Sequence, residues 1–403
     1  MSARAIPAPL EVKFWTPGVL VMVFFMAAGL LFVIARYTGG LAAVTNLDDA
    51  HPWGLWIGFD VATGVALAAG GFTTAALSHI FGRHQYEALT RPALLTAMLG
   101  YTFVSLGLVI DIGRSWAIWH PAVYWQGDSV LFEVALCVMI YLHVLYIEFV
   151  PIVVEHFKGK VSLRGRLSIL DNAIEGLLGF ADRILSKVMW VFIIAGVVLS
   201  CMHQSGLGSL MLIAPTKLHP LWYTPILPLL FLISAIAVGY PMVVFETSLT
   251  TSSLGLDGEM DILTPLTGIT IFLLGIYMGM KIGDMLVRGT YVYLLDGSVQ
   301  GKAFLVEMLV GVIIPWFMLL VPGLRHSRRA LFIACTLIVF GVALNRINVF
   351  LVGFQPPYAE TSYFPAIGEI AITAGLISAL MFIYRICVNY LPILSSRDQE
   401  VLL

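Results

Sequence analysis

Two glutamates and a tyrosine are spaced along one very apolar stretch, residues 129–155, which reads SVLFEVALCVMIYLHVLYIEFVPIVVE. In a helix, Glu133 and Glu148 would lie within ~60° of each other and ~22 Å apart, with Tyr141 between them on nearly the same face. A carboxylate in lipid costs several kcal/mol unless it faces protein, water or a partner. The spacing therefore indicates part of a proton path inside a helix bundle. Neutral acids that only pack helices are the alternative.

A further acid, Glu246, extends this prediction. It lies near the end of another apolar run, in VVFETSLTTSS, and several hydroxyl side chains follow it. We expect protons to pass from the inner side of a membrane through Glu246 and Glu148 towards the outer side.

A second group of residues has the chemistry of a quinone pocket. Such a pocket needs hydrogen-bond donors for two carbonyls, a flat apolar wall, and groups that exchange protons. The stretches HPWGLWIGFD, DIGRSWAIWHP and CMHQSGLGSLM supply these groups at the ends of apolar segments. The candidate residues are Trp56, Asp60, Asp111, Arg114, Trp116, His203, Gln204 and Ser205. A polar network that caps helix ends, with Asp111 paired to Arg114, is the alternative.

Composition places these residues in a membrane protein. The 403 residues are 59% hydrophobic and 11% charged, with a mean hydropathy of +0.93, whereas soluble proteins carry about 25% charged residues. A net charge of −2 gives no sign of a nucleic-acid partner, and the four cysteines form no CxxC pair that would hold a zinc ion or an iron–sulfur cluster. We expect no metal site in this chain.

Ten apolar segments predict an all-α protein with about ten transmembrane helices in one membrane domain, residues 1–403. We expect two four-helix bundles, residues 17–155 and 186–322, and two additional helices in 328–390. Leu170, Ile174, Leu177 and Leu178 predict an amphipathic helix on the membrane surface within the connector 156–185.

Lysine and arginine predict the orientation. With a cytoplasmic N-terminus, fifteen of the 22 basic residues lie on the cytoplasmic side and seven on the other. The positive-inside rule then puts both termini in the cytoplasm and the candidate quinone pocket at the outer face.

Histidine spacing argues against a haem. A b-type haem needs two axial histidines, and of the nine in the chain only His143 is central in an apolar segment. Spacing leaves one pair open, His79 with His143. Without haem or clusters, electrons would have to reach a quinone from a partner on the pocket's own side.

The sequence resembles the HybB-type membrane subunits of quinone-linked nickel–iron hydrogenases, a branch of the NrfD/PsrC (polysulfide reductase membrane subunit) family. The matching motifs, spread from residue 52 to about 370, are PWGLWIGFD, RPALL, DIGRSW, SVLFEVALC, IEFVP, MHQSGLGSLM with HPLW, VFETSL and YFP.

The resemblance implies a haem-free, quinone-reactive subunit of a respiratory oxidoreductase in a bacterial or archaeal cytoplasmic membrane. It implies a periplasmic iron–sulfur partner with a catalytic subunit beyond it, menaquinone or ubiquinone as bound substrate, and no enzyme activity of the chain alone. It also implies proton transfer by Glu133, Glu148 and Glu246, with the quinone near Asp60 and His203. Related subunits serve hydrogenases, polysulfide and nitrite reductases, and cytochrome-fed menaquinone reductases.

Two other classes of function remain open. A secondary transporter also buries acids and interrupts helices, but near mid-depth, whereas the interruptions here cluster at one surface. A passive membrane anchor would tolerate replacement of Glu133 and Glu148.

Overall fold

The computed structural model describes residues 7–9, 13–162, 165–255 and 260–394. Within this part of the chain, ten helices are long and apolar enough to cross a membrane, which confirms the predicted all-α membrane fold. We number them α1 to α10. They are Pro17–Gly39, Trp56–Ile80, His84–Asp111, Val130–Phe157, Ser168–Leu212, Leu227–Ser253, Met260–Val287, Val299–Leu320, Arg328–Val352 and Ile367–Tyr390.

Local sequence fixes several helix ends. Pro17 stands in the first turn of α1, where its missing N–H costs nothing. Ser129 and Ser298 cap α4 and α8, since their hydroxyl oxygens accept bonds from the N–H groups of Phe132 and Gly301.

Three of these helices contain wider, π-helical turns. The segments are Trp56–Val61 and Ala76–Ile80 in α2, Leu309–Ile313 in α8, and Asn348–Val352 in α9. Such turns are frequent at functional sites because they redirect side chains within a helix.

Helix packing divides the chain differently from the predicted boundaries. Helices α2 to α5 pack around one another as a first bundle, and α6 to α9 form a second. The two additional helices are α1 and α10, which pack extensively together and contact the first bundle chiefly through α10 and α3. This grouping differs from the predicted bundles 17–155 and 186–322 and the predicted additional pair 328–390, because apolar runs mark helices but do not specify which helices touch.

The connector 156–185 also differs from the prediction. Its second half is helical, but it forms the first turns of α5 rather than a separate helix along the surface. The continuous helix Asp171–Leu212 has 42 residues, so it spans ~63 Å and extends well beyond a ~30 Å hydrocarbon layer. Lys158 holds this extension through an ion pair with Asp182 at 2.7 Å.

The connectors lie at two ends of the molecule. We call the end with connectors 40–55, 112–129, 213–226, 288–298 and 354–366 the predicted outer end, and the opposite one the predicted inner end. At the outer end, backbone bonds from His219 to Gly353 (2.8 Å) and from Gln355 to Lys217 (2.6 Å) join two connectors. The orientation itself stays a prediction, and three arginines used for it, Arg4, Arg164 and Arg397, lie outside the described residues.

Candidate functional site

A cavity of about 620 Å³ lies where the additional helices meet the two bundles. Side chains from α1, α2, α3, α6 and α10 line it, and its walls are mostly apolar. Its polar lining residues are Thr16, Asp60, Thr63, Thr96, Glu246, Thr250, Ser253, Tyr384, Arg385 and Asn389. A long apolar space with a few polar groups is typical of sites for small amphiphilic molecules.

Asp60 marks the outer part of this cavity. It stands on the π-helical turn that opens α2, and its Oδ2 accepts a bond of 2.7 Å from the Thr373 hydroxyl on α10. Asp111, at the end of α3, is close enough to interact electrostatically with Asp60 and with Glu369. The structure therefore brings together two of the predicted acids, Asp60 and Asp111.

A buried arginine holds this region in place. Arg36 is 6% exposed, and its guanidinium donates to the carbonyls of Ile110 (2.8 Å) and Ile112 (2.9 Å) at the end of α3. It is also close enough to Asp111 to interact with it electrostatically. Arg36, not Arg114, is thus the cation beside Asp111.

Trp56 packs into the structure and is absent from the cavity lining. It is 1% exposed, and its indole N–H donates to the carbonyl of Glu369 at 3.3 Å. The Glu369 carboxylate accepts bonds from the Tyr363 hydroxyl and the Ala366 N–H, which fixes the start of α10. Burial and the bond to Glu369 raise the pKa of Tyr363, so this hydroxyl stays protonated and donates a hydrogen bond to the carboxylate.

His203 and Gln204 lie inside the first bundle, apart from the cavity. His203 is 0% exposed, its Nδ1 is 3.2 Å from the Tyr101 hydroxyl, and its Nε2 has no hydrogen-bond partner among the described residues. Gln204 donates to the carbonyl of Val65 at 2.9 Å, while its Oε1 has no partner there. These two groups therefore do not share the cavity with Asp60.

Tyr141 connects His203 to Glu148. Its ring meets that of Tyr101 edge-on at 4.5 Å, Ser200 adjoins both hydroxyls, and Glu148 interacts with Tyr141 electrostatically. Glu148 packs against Gly196 on α5, where a larger residue would collide with its carboxylate. Glu148, Tyr141, Tyr101 and His203 form a polar row along the first bundle.

Glu133 is placed differently. It lies in the first turn of α4 at the predicted outer end and is exposed. The structure therefore places Glu133 at the surface end of the helix and outside the polar row of Glu148, Tyr141, Tyr101 and His203.

Glu246 lies in the inner part of the cavity. It adjoins Thr96 and Tyr384, and its Oε1 has no hydrogen-bond partner among the described residues. The Tyr384 hydroxyl and the Asn389 Oδ1 also lack partners there and line the same space. Three buried polar atoms without partners indicate that water or a ligand occupies this part of the cavity.

The three remaining predicted pocket residues lie outside the cavity lining. Trp116 is 75% exposed, Arg114 is exposed and forms no ion pair with Asp111 in the described structure, and Ser205 donates to Met202 of its own helix.

Sequence reasoning missed a buried charged cluster in the second bundle. Lys281, Glu307 and Arg346 are 5%, 1% and 0% exposed. The sequence contained an indication of this cluster, since each of the three is a charged residue within or at the end of an apolar segment, where an unpaired charge is costly.

Residues 43–356 match the family described as polysulphide reductase, NrfD. A protein of Nitratidesulfovibrio vulgaris Hildenborough is 40% identical over 390 residues, covering 94% of this chain and 95% of its own. The probable Ni/Fe-hydrogenase 2 b-type cytochrome subunit of Escherichia coli K12 is 34% identical over 401 residues, 98% of this chain and 96% of its own. The integral membrane subunit of menaquinone reductase of N. vulgaris is 26% identical over 410 residues, 94% and 92% of the two chains. These matches confirm the resemblance read from the motifs, and the chain belongs to the NrfD family.

Proposed function

We propose that this chain is a haem-free, quinone-reactive membrane subunit of a respiratory oxidoreductase in a prokaryotic cytoplasmic membrane. Electrons pass between an iron–sulfur partner at the predicted outer end and menaquinone or ubiquinone in the cavity. Protons reach the quinone from the inner side. A hydrogenase-type complex is favoured, because the Escherichia coli relative is a hydrogenase subunit by name.

The cavity is the observation that carries this proposal. A quinone ring needs hydrogen-bonding groups at one end of an apolar slot. Asp60, whose carboxylate accepts a bond from Thr373, and Thr63 line the cavity close to the start of α2 and can serve as these groups. By rise per residue, Asp60 is ~6 Å from the beginning of α2 and Glu246 ~29 Å from that of α6. The cavity thus has acids near both of its ends, and an apolar tail fits along the walls between them.

Protons would enter at the opposite end from the electrons. Glu246 and Tyr384 line the inner part of the cavity, and each has a polar atom there without a hydrogen-bond partner. Thr96 and Thr250 continue this polar lining. Water in this space would connect them to Asp60. The row of Glu148, Tyr141, Tyr101 and His203 offers a second route, inside the first bundle.

Exposed aromatic residues at the predicted outer end fit a docking surface for the iron–sulfur partner. They are Trp116 (75% exposed), Trp125 (70%), Tyr124 (61%) and Phe364 (75%). Aromatic side chains are enriched in protein interfaces, and tryptophans also mark membrane boundaries. Trp116 is better placed for this role than for the wall of a quinone pocket.

The histidines do not favour a haem, although the name of the hydrogenase relative includes a b-type cytochrome. Both members of the open pair, His79 and His143, are exposed on their helices, and His143 Nδ1 lies 2.6 Å from the carbonyl of Met139. The buried His203 contacts Tyr101 instead of a second histidine.

Quinone reduction by membranes that carry the intact complex tests the proposal. We expect Asp60→Asn to lower quinone turnover at least tenfold, because the ring loses its acid, and Asp128→Asn to leave it unchanged. Asp128 is an exposed acid at the same end. The partner's own activity with an artificial acceptor should persist in both variants. Full quinone turnover in Asp60→Asn would contradict the quinone site and favour a passive anchor.

A further inference from the structure

The second bundle contains an ion pair that is buried from all sides. Lys281 on α7 donates to the Glu307 carboxylate on α8 and to the Tyr277 hydroxyl at 3.2 Å. Glu307 also accepts bonds from Trp222 (3.0 Å), Asn345 (2.8 Å) and Asn348 (2.8 Å). Asn348 reaches it from the π-helical turn that ends α9.

This cluster holds more positive than negative charge. Arg346 is 0% exposed, lies 3.7 Å from the ring centre of Phe231, and donates to the Asn345 Oδ1 at 2.6 Å and the Ser234 hydroxyl at 2.9 Å. Asn345 therefore links Arg346 to the Glu307 carboxylate. Two cations share one anion in an apolar environment, where an unbalanced charge is costly. Loss of one proton from Lys281 would bring the cluster to neutrality.

A water-sized cavity lies beside Lys281. Its volume is about 10 Å³, and its polar lining residues are Thr224, Tyr277, Lys281, Asp284 and Asn345. A space of this size holds about one water molecule when it has polar partners. Asp284 is one helical turn from Lys281 towards the predicted outer end, and its side chain is 13% exposed.

Asp284 is held in an orderly network. Its Oδ1 accepts a bond of 2.8 Å from the Thr224 hydroxyl, and its Oδ2 pairs with Arg288. Arg288 in turn donates to the carbonyls of Pro220 (2.9 Å) and Tyr223 (2.6 Å) in the connector 213–226. The carboxylate therefore stands between this connector and the buried pair.

We propose that the second bundle contains a proton-exchange site in which Lys281 communicates with the outer aqueous phase through one water and Asp284. An N–H bond of the Lys281 ammonium breaks and its proton passes to the water. The water gives another of its protons to Asp284, which releases it to the solvent. Lys281 is then a neutral amine, and the Glu307 carboxylate stays balanced by Arg346 through Asn345. The site lies outside the quinone cavity and does not depend on the function proposed for it.

X-ray hydroxyl-radical labelling of the intact complex, followed by mass spectrometry, tests whether a water molecule occupies the small cavity beside Lys281. Trp222 and Trp56 form a matched pair, since they are 2% and 1% exposed and both indole N–H groups are bonded. Only Trp222 borders the small cavity. We expect at least tenfold more labelling at Trp222 than at Trp56. Equal, low labelling would mean a dry ion pair and would overturn the proposal.

Proton exchange is tested on the full chain in lipid nanodiscs with ¹⁵N-labelled lysine side chains. The chain has seven lysines, and Lys281→Arg identifies the Lys281 signal. After transfer to D₂O, we expect the Lys281 protons to exchange, and to exchange at least tenfold more slowly in Asp284→Asn and in Thr224→Val. Asp128→Asn should match the wild type. Failure of Lys281 to exchange in the wild type, or equal rates in all variants, would leave a purely structural pair.

Discussion

At the scale of single residues, the buried charges of this protein have contacts that explain their positions. Arg36 joins α1 to the end of α3 through two carbonyls, and it balances Asp111 beside the cavity. The ion pair between Asp111 and Arg114, which the sequence offered as the alternative to a quinone pocket, is absent from the described structure. A spacing of three residues is a weak guide to ion pairing near a helix end, because α3 ends at Asp111 and the chain turns away.

Replacement of Arg36 should therefore matter and replacement of Arg114 should not. Arg36→Met leaves two carbonyls without a charged donor, which costs about 1.5–3 kcal/mol per buried charged bond, and it removes the positive charge near Asp111. We expect a lower melting temperature of the complex and weaker quinone turnover, since Asp60 and Asp111 would shift. Arg114→Met is the matched control, because Arg114 is exposed. Equal melting temperatures for both variants would mean that Arg36 does not support the site.

His219 gives a prediction on acid stability. Its ring packs between Trp222 and Tyr293, its Nδ1 accepts the Leu221 N–H at 3.3 Å, and burial lowers its pKa. The unfolded chain then binds the proton more readily than the folded one, so stability is complete above the ordinary pKa of ~6.5 and falls as the pH drops below it.

His219→Asn keeps an acceptor near the Nδ1 position but does not titrate. We expect the wild-type complex to lose thermal stability between pH 6.5 and 5 more steeply than this variant. His120→Asn, at an exposed histidine of the same end, should behave like the wild type. Parallel pH profiles for wild type and His219→Asn would show that protonation of His219 does not cause the loss of stability at low pH.

At the scale of helices, small residues decide how closely α8 and α9 approach. Gly311 and Gly341 face each other, and a methyl group on either would collide with the Cα of the other. This contact lies at the π-helical turn of α8 and brings Glu307 within reach of Asn345 on α9. Close approach of small residues is a common way for membrane helices to pack.

Gly341→Ala should push these two helices apart. We expect a loss of about 1–3 kcal/mol in stability, as for other overpacked interfaces, with a lower melting temperature of the purified complex. Gly279→Ala is the control, because no atom lies within 4 Å of the position its methyl group would take. An unchanged melting temperature for Gly341→Ala would show that the helices relax freely around this contact.

The positions of the helices along the chain could be predicted, whereas the pairs of helices that pack together could not. Apolar length alone located all ten spans, because each must cover the same hydrocarbon layer. Pairing depends on side-chain contacts between distant segments, so the sequence did not show that α1 packs on α10. For the same reason, Asp60 and His203 were expected in one pocket, although His203 does not line the cavity that contains Asp60. Lys281 was treated only as a topology marker, since its partner Glu307 lies on another helix.

At the scale of the whole molecule, the two regions proposed to handle protons lie on either side of the interface between the bundles. The first bundle and the cavity contain Glu148 and Glu246, while the second contains Lys281 and Glu307 near the predicted outer end. Helix α6 packs against α2 on one side, where it lines the cavity together with α3, and against α9 on the other side. It therefore lies between these regions. In these proposals, protons for the quinone enter from the predicted inner end, whereas Lys281 exchanges protons with the predicted outer end.

The final prediction separates the acids of the first bundle by their depth. Glu148→Gln removes a titrating group from the buried row, so we expect quinone turnover and membrane potential to fall together by at least tenfold. Glu133→Gln changes an exposed group at the first turn of α4 and should retain most of both. Glu246→Gln removes the acid of the inner part of the cavity and is also expected to lower both by at least tenfold.

Membranes with the intact complex allow turnover and potential to be followed in the same sample. A turnover that survives in Glu148→Gln but fails in Glu246→Gln would assign the proton route to the cavity and leave the buried row structural. The opposite result would assign it to the first bundle. Full turnover and potential in both variants would contradict proton transfer through either acid, because no other carboxylate of the cavity lies towards the predicted inner end among the residues that line it.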